Sequence, residues 1–142
     1  MAITTEMATS FKREVLEARH NFLASGGDTF KAALFLAAAT LGAGTTAYSA
    51  TNESSGTGYT AGGGTLTRVN PAISGTTAYT DFADFTWSAS TITARGCLLY
   101  NSSASNAACS AHDFGSDKSS SGGDFVLQFP SPTASDAILR IA

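Results

Sequence analysis

Two histidines, His20 and His112, two cysteines, Cys97 and Cys109, and eleven carboxylate side chains are the groups of this 142-residue chain that could move a proton, attack a substrate or hold a metal. A nucleophilic site needs a Ser or Cys, a His and an orienting carboxylate within hydrogen-bond reach. Eighteen serines allow many such sets to be drawn, and no Gly-x-Ser-x-Gly elbow singles one out. His112, beside Asp113, is the strongest catalytic candidate, and a partly exposed strand-end imidazole is the plainer account of it. Zinc would want four ligands, commonly in two close pairs, whereas Cys97, Cys109 and His112 offer no such pairing. Asp113, Asp117 and Asp124 lack the spacing and terminal Glu of a calcium loop, so Asp113 to Gly123 reads as a polar turn. The Asp-Phe-Gly inside it stands without the other kinase motifs. No catalytic residue, metal or cofactor is expected, and a small hydrolase is the least favoured function.

Phosphate and nucleic-acid chemistry fare no better. Gly62-Gly63-Gly64 lacks the Lys-Ser/Thr of a phosphate loop and precedes no helix, which makes it a flexible or tight turn. Arg68, Arg95 and Arg140 are scattered, and the formal net charge is -3, so a nucleic-acid partner is not expected. Asn52-Glu53-Ser54 and Asn101-Ser102-Ser103 match the glycosylation pattern, which means little without a secretory signal. The start of the chain is polar where a signal peptide would be basic and then apolar, and two cysteines make no disulfide scaffold, so synthesis in a cytosol is expected. The longest apolar stretch, Ala32 to Ala39, is far short of a membrane span.

The elements that would position these groups change character along the chain. Ser10 is a candidate N-cap for a helix over residues 10–25 in which Phe11, Val15, Ala18 and Phe22 share one face. Leu16, His20 and Leu23 widen that face, Lys12, Arg13, Glu14, Glu17 and Arg19 fall largely opposite, and Gly26-Gly27 ends the helix. From Thr29 onward β-branched and aromatic runs alternate with turn residues. Strands are expected near Thr29 to Leu36, Thr65 to Val69, Thr77 to Phe82, Phe85 to Ser88, Thr91 to Tyr100, Asn106 to Phe114, Asp124 to Phe129 and Ala137 to Ile141. The fold class is mainly β, an antiparallel β-sandwich or barrel preceded by one N-terminal amphipathic α-helix. Residues 1–9 form an arm, and residues 10–142 a single domain.

A hairpin centred on Ser103 would set Cys97 directly opposite Cys109, and in a reducing cytosol two small buried thiols are favoured over a bond. Residues 37–64 form a long glycine-rich loop with little apolar material to hold it. Its aromatics, Tyr48 and Tyr59, either pin it to the domain or contact a neighbour. Gly44-Thr45-Thr46-Ala47-Tyr48 recurs as Gly75-Thr76-Thr77-Ala78-Tyr79, read as two similar turns leading into strands. Trp87, the only tryptophan, belongs in the core or in a subunit contact.

Several runs together resemble small virion proteins of tailed bacteriophages. They are Ser10-Phe11-Lys12 through Phe30-Lys31, Thr46 to Glu53, Gly56 to Gly63, Asp81-Phe82-Ala83-Asp84 with Trp87, Thr91 to Gly96, and Gly122 to Phe125. The resemblance covers nearly the whole chain and brings no catalytic residues. It implies a non-enzymatic assembly role in the virion: a head decoration or cement protein, a homo-oligomer binding the major capsid protein or other virion proteins through many modest contacts. A tail, head-tail connector or adhesion component with the 37–64 loop exposed is the alternative. Ala, Thr, Ser and Gly make up 76 residues and charged types only 19, a composition suited to close approach between neighbours. The helix, or the arm before it, is the expected contact, with a helix that merely covers the sandwich as the other account. Candidate interface residues are Phe11, Val15, Phe22, Tyr48, Tyr59 and Trp87.

Overall fold

A computed structural model describes residues 2–142. In chain order the elements are β1 (Glu6–Met7), α1 (Thr9–Leu16), β2 (Phe30–Phe35), β3 (Gly64–Thr65), β4 (Arg68–Ser74), β5 (Thr77–Phe82), β6 (Phe85–Ser90), β7 (Thr93–Asn101), β8 (Ala107–Ser119), β9 (Gly123–Leu127) and β10 (Leu139–Ile141). They form a five-stranded sheet in the order β1-β8-β7-β2-β3, a three-stranded sheet β10-β5-β4, and a two-stranded sheet β6-β9. Every named strand pair is antiparallel. The mainly β, sandwich-like class with one short N-terminal helix is the one expected, and the barrel alternative falls because the sheets do not close.

Alternation explains why these segments are strands. Phe125 and Leu127 are buried while Asp124 and Val126 face water, so β9 has one apolar face as its sequence requires. Central β2, with β7 and β3 on either side, buries five of its six residues, and its near-continuous apolar run fits a strand covered on both faces. Phe22 and Phe30 stack at 4.4 Å, and Phe82 packs on both Phe30 and Phe129 at 5.6 Å, joining the five-stranded sheet to β5.

The helix departs most from expectation. It ends at Leu16, well short of residue 25. Ala18 takes a left-handed conformation (φ 57°), its amide bonds the Val15 carbonyl, and the Arg19 amide bonds that of Glu14. This is a Schellman closure built on alanine in place of glycine, so Gly26 and Gly27 shape a later turn and terminate nothing. Residues 17–29 run instead as an irregular strap that turns at 24–26 and closes on itself where Asn21 bonds Asp28. Ser10 does not cap the helix. The N-cap is Ala8, with no side-chain cap, and the chain is fixed there by the Ala8 amide on Cys109 and the Thr9 amide on Ala43. The arm is likewise built in. Ile3 is buried, its neighbours exchange backbone bonds with Leu41, and β1 pairs with β8.

Two further differences concern β8 and the hairpin. Residues 115–119, beyond the expected end of the strand at Phe114 and read as part of a polar turn, continue β8, because Lys118 and Ser119 pair with Ala94 and Thr93. The β7–β8 hairpin exists, but Cys97 lies opposite His112. Ser105 and Asn106 are both left-handed and set a turn centred beyond Ser103, and an irregularity between Leu99 and Tyr100 adds a further shift. Both thiols are free and buried. Burial pushes Cys97 up to about 12 and raises Cys109 as well, where Glu14 and Asp28 add to the effect.

Candidate functional site

The strap after α1 carries the densest polar cluster. Glu14, on the same helical face as Phe11 three residues earlier and not opposite it, is buried. Its carboxylate accepts a 2.7 Å bond from His20 Nε2 and a 3.3 Å bond from Arg19. His20 Nδ1 faces Asn101 Nδ2 at 3.0 Å, and the same amide donates to Asp28 Oδ2 at 2.8 Å. Asn101 Oδ1 accepts the Ser103 and Ala104 amides. The amide oxygen is thus committed to the turn, and Nδ2 is the donor toward the ring. The Glu14–His20 pair is enclosed, with His20 beside a small cavity of about 130 Å³. It ties α1 and the strap to the tip of the β7–β8 hairpin. Arg68 completes the hold from β4 by donating to the Ala24 and Asp28 carbonyls.

A second cluster organises residues 37–64. Glu53 accepts bonds from Tyr48 at 2.6 Å, Tyr59 at 2.7 Å and the Gly62 amide at 2.7 Å. Tyr59 Oη in turn accepts the Leu34 amide of β2 at 2.9 Å, and Tyr100 donates to the Gly62 carbonyl at 2.7 Å. Burial first, and then the Glu53 carboxylate, raises the phenols of Tyr48 and Tyr59 and brings Tyr100 to about 12. The two loop aromatics therefore pin the loop to its own domain. Gly62-Gly63-Gly64 is a tight turn. Gly63 is left-handed, and a Cβ there would overlap the Ala32 carbonyl, while one at Gly64 would overlap the Phe85 ring.

The remaining candidates are dispersed. Phe11 and Trp87 are buried, and Val15, Phe22, Tyr48 and Tyr59 pack partly buried against the core. Leu16, expected to widen the apolar helix face, is 88% exposed, and Leu23 lies exposed in the strap. Asp113 pairs with Arg95 at 2.9 Å, and no cluster of three or more metal-binding side chains occurs among the described residues. Among the described residues, no helix is long and apolar enough to cross a membrane. Asn101, in one of the glycosylation patterns, is fully buried.

His112 sits within β8, not at its end, with its Nε2 2.9 Å from Ser110 Oγ. Both border the mouth of a cavity of about 220 Å³ walled by Phe11, Phe22, Phe30 and Phe82. Burial lowers the imidazole from its ordinary range. The unfolded chain binds this proton near pH 6.5 and the folded chain only at lower pH, so stability falls as pH drops below about 6.5 toward the folded value. His112→Gln removes that slope. The check is the difference between the two proteins' urea midpoints across pH 5 to 8, roughly the imidazole range, and parallel curves would refute it.

Neither Glu53 nor Asn101 stands out in the sequence as a hub. Only Glu14 could have been found, because a carboxylate three residues from Phe11 on a short helix must share its face. A groove of about 790 Å³ between residues 2–4 and 39–52 has no titratable side chain in its lining. Compared with known protein families, curated proteins and solved structures, the chain matches none.

Proposed function

We propose that the chain is a structural protein of a tailed-phage virion, a decoration or cement protein that coats the head in many copies, as a homo-oligomer seated on the major capsid protein. The observation that carries the reading is where the chemistry lies. The buried carboxyl groups Glu14 and Asp81 and the half-buried Asp28 and Glu53 each accept hydrogen bonds that hold one segment of the chain to another. Large apolar side chains stand in water: Ile73 is 80% exposed and Ile141 56% exposed, and both pair with Ala78 in one row across β4, β5 and β10. An uncharged row of this kind is a surface for another protein, and many weak copies of one contact together hold strongly.

The copy number in purified particles, measured by quantitative mass spectrometry against the major capsid protein, tests this reading. On the order of hundreds of copies per particle supports a coat held by repeated contacts. About six or twelve, the stoichiometry of a closed ring, overturns it in favour of a tail or connector part.

A further inference from the structure

The segment 133–141 is held to the fold along one edge only. Its strand β10 is three residues long and pairs with β5 alone: Leu139 with Thr80, Arg140 with Tyr79 and Ile141 with Ala78. Voids border it on several sides. Ile138 and Leu139 line the 220 Å³ cavity, Leu139 and Ile141 border another of about 130 Å³ beside Val15 and Phe22, and an open groove of about 720 Å³ separates Ala134, Ser135 and Ile138 from Met7. A side chain facing a void forfeits the dispersion contacts that close packing would give. The only side-chain hydrogen bond holding β10's approach to β5 is long, from the Ile138 amide to Asp81 Oδ2 at 3.4 Å.

The links on either side differ in firmness. Upstream, the Phe129 amide bonds Asp84 Oδ1 at 2.7 Å and the Phe129 ring packs on Phe82, which fixes the chain there. Between that anchor and the segment lies Pro130-Ser131-Pro132, exposed throughout. Two prolines in three residues favour an extended, stiff connection. Beyond it, the Ala137 amide bonds the Thr133 carbonyl and Thr133 Oγ1 bonds Asp136 at 3.0 Å, so the segment keeps its own shape when it leaves.

We propose that residues 133–141 exchange between two copies of this chain, β10 of one molecule pairing with β5 of the other. The receptor edge and the strand that fills it are already complementary, because the same contacts form within one chain, and strand exchange needs no new interface to begin. Ile141 of one molecule then pairs with Ala78 of the other, in the seat that it occupies within one chain. The exchange is independent of whether the protein sits on a head or a tail.

Two single variants, Ala78→Cys and Ile141→Cys, test it. These positions face each other across an antiparallel pair, close enough for a bond, and native Cys97 and Cys109 are free and buried. After mild oxidation of the two variants mixed at high concentration, a disulfide-linked heterodimer is expected, since that bond can form only between molecules. The double variant controls for geometry. If it closes within one chain while the mixed singles stay monomeric, the exchange is overturned. Sedimentation of the unsubstituted chain is the second measurement. A monomer at every concentration overturns the proposal, and so does a dimer that gives no cross-link between the singles.

Discussion

Trp87→Ala will cost the fold about 3 to 5 kcal/mol, the range for truncating a buried aromatic. Trp87 is 5% exposed and meets Phe85 at 4.6 Å, Tyr59 at 5.9 Å and Phe125 at 6.0 Å. It is where the two-stranded sheet and the glycine-rich loop share a core, so an alanine leaves a cavity whose walls belong to separate segments. Phe125 and Tyr59 cannot both move into it, because Phe125 is fixed in the β6–β9 ladder and Tyr59 by its bonds to Glu53 and Leu34. Against a total stability of about 5 to 15 kcal/mol the loss is large, and it corresponds to roughly 10 to 15 °C in Tm for a chain of this size. Circular dichroism is the readout, since the variant has no tryptophan to follow. A loss below about 1 kcal/mol, typical of a surface position, would contradict the packing described.

The second large effect belongs to Asn101. Asn101→Ala strips the donors from His20 Nδ1 and Asp28 Oδ2 and the acceptor from two turn amides. Asp28 Oδ2 keeps the Asn21 amide at 2.9 Å and the turn amides recover water, so His20 Nδ1 is the buried group left without a partner and the net loss is about 1 to 3 kcal/mol. Asn101→Asp separates the two halves of the role. It keeps an acceptor for Ser103 and Ala104 but sets a carboxylate against Asp28, so the hairpin turn survives and the strap 17–29 is released. Limited proteolysis reads this directly: Asn101→Asp is cut faster within residues 21–27 than the parent chain. In a double-mutant cycle, His20→Ala and Asn101→Ala are strongly non-additive, because each removes the same bond. Additive losses would mean that the two side chains act separately.

Strands were legible where side-chain alternation is local. Phe85 with Trp87, and Phe125 with Leu127, declare which face turns inward, and β5 falls where its β-branched and aromatic run predicts. What was not legible depends on backbone states that no side-chain pattern announces. Ala18 turns left-handed and ends α1 two turns early, although alanine favours helix and the apolar spacing continues to Phe22. Phe22 still reaches the core, but from the strap. The hairpin register slipped for the same kind of reason, with Ser105 and Asn106 in the left-handed region and an irregularity in mid-strand. The hubs were the least visible. Glu53 and Asn101 look like surface residues in polar runs, and their partners lie up to 81 residues away in sequence, so only the folded chain brings out their role.

The loop built around Glu53 has a consequence for how it comes apart. Tyr48, Tyr59 and the Gly62 amide all converge on one carboxylate, and Tyr59 relays that contact to β2. Releasing any one of them weakens the geometry of the others, so these three contacts are coupled to one another. A stretch too poor in apolar side chains to order itself is thereby held in its second half by one acid group, while backbone bonds from Leu41 to Ala2 and from Tyr48 to Asn106 fix its first half separately.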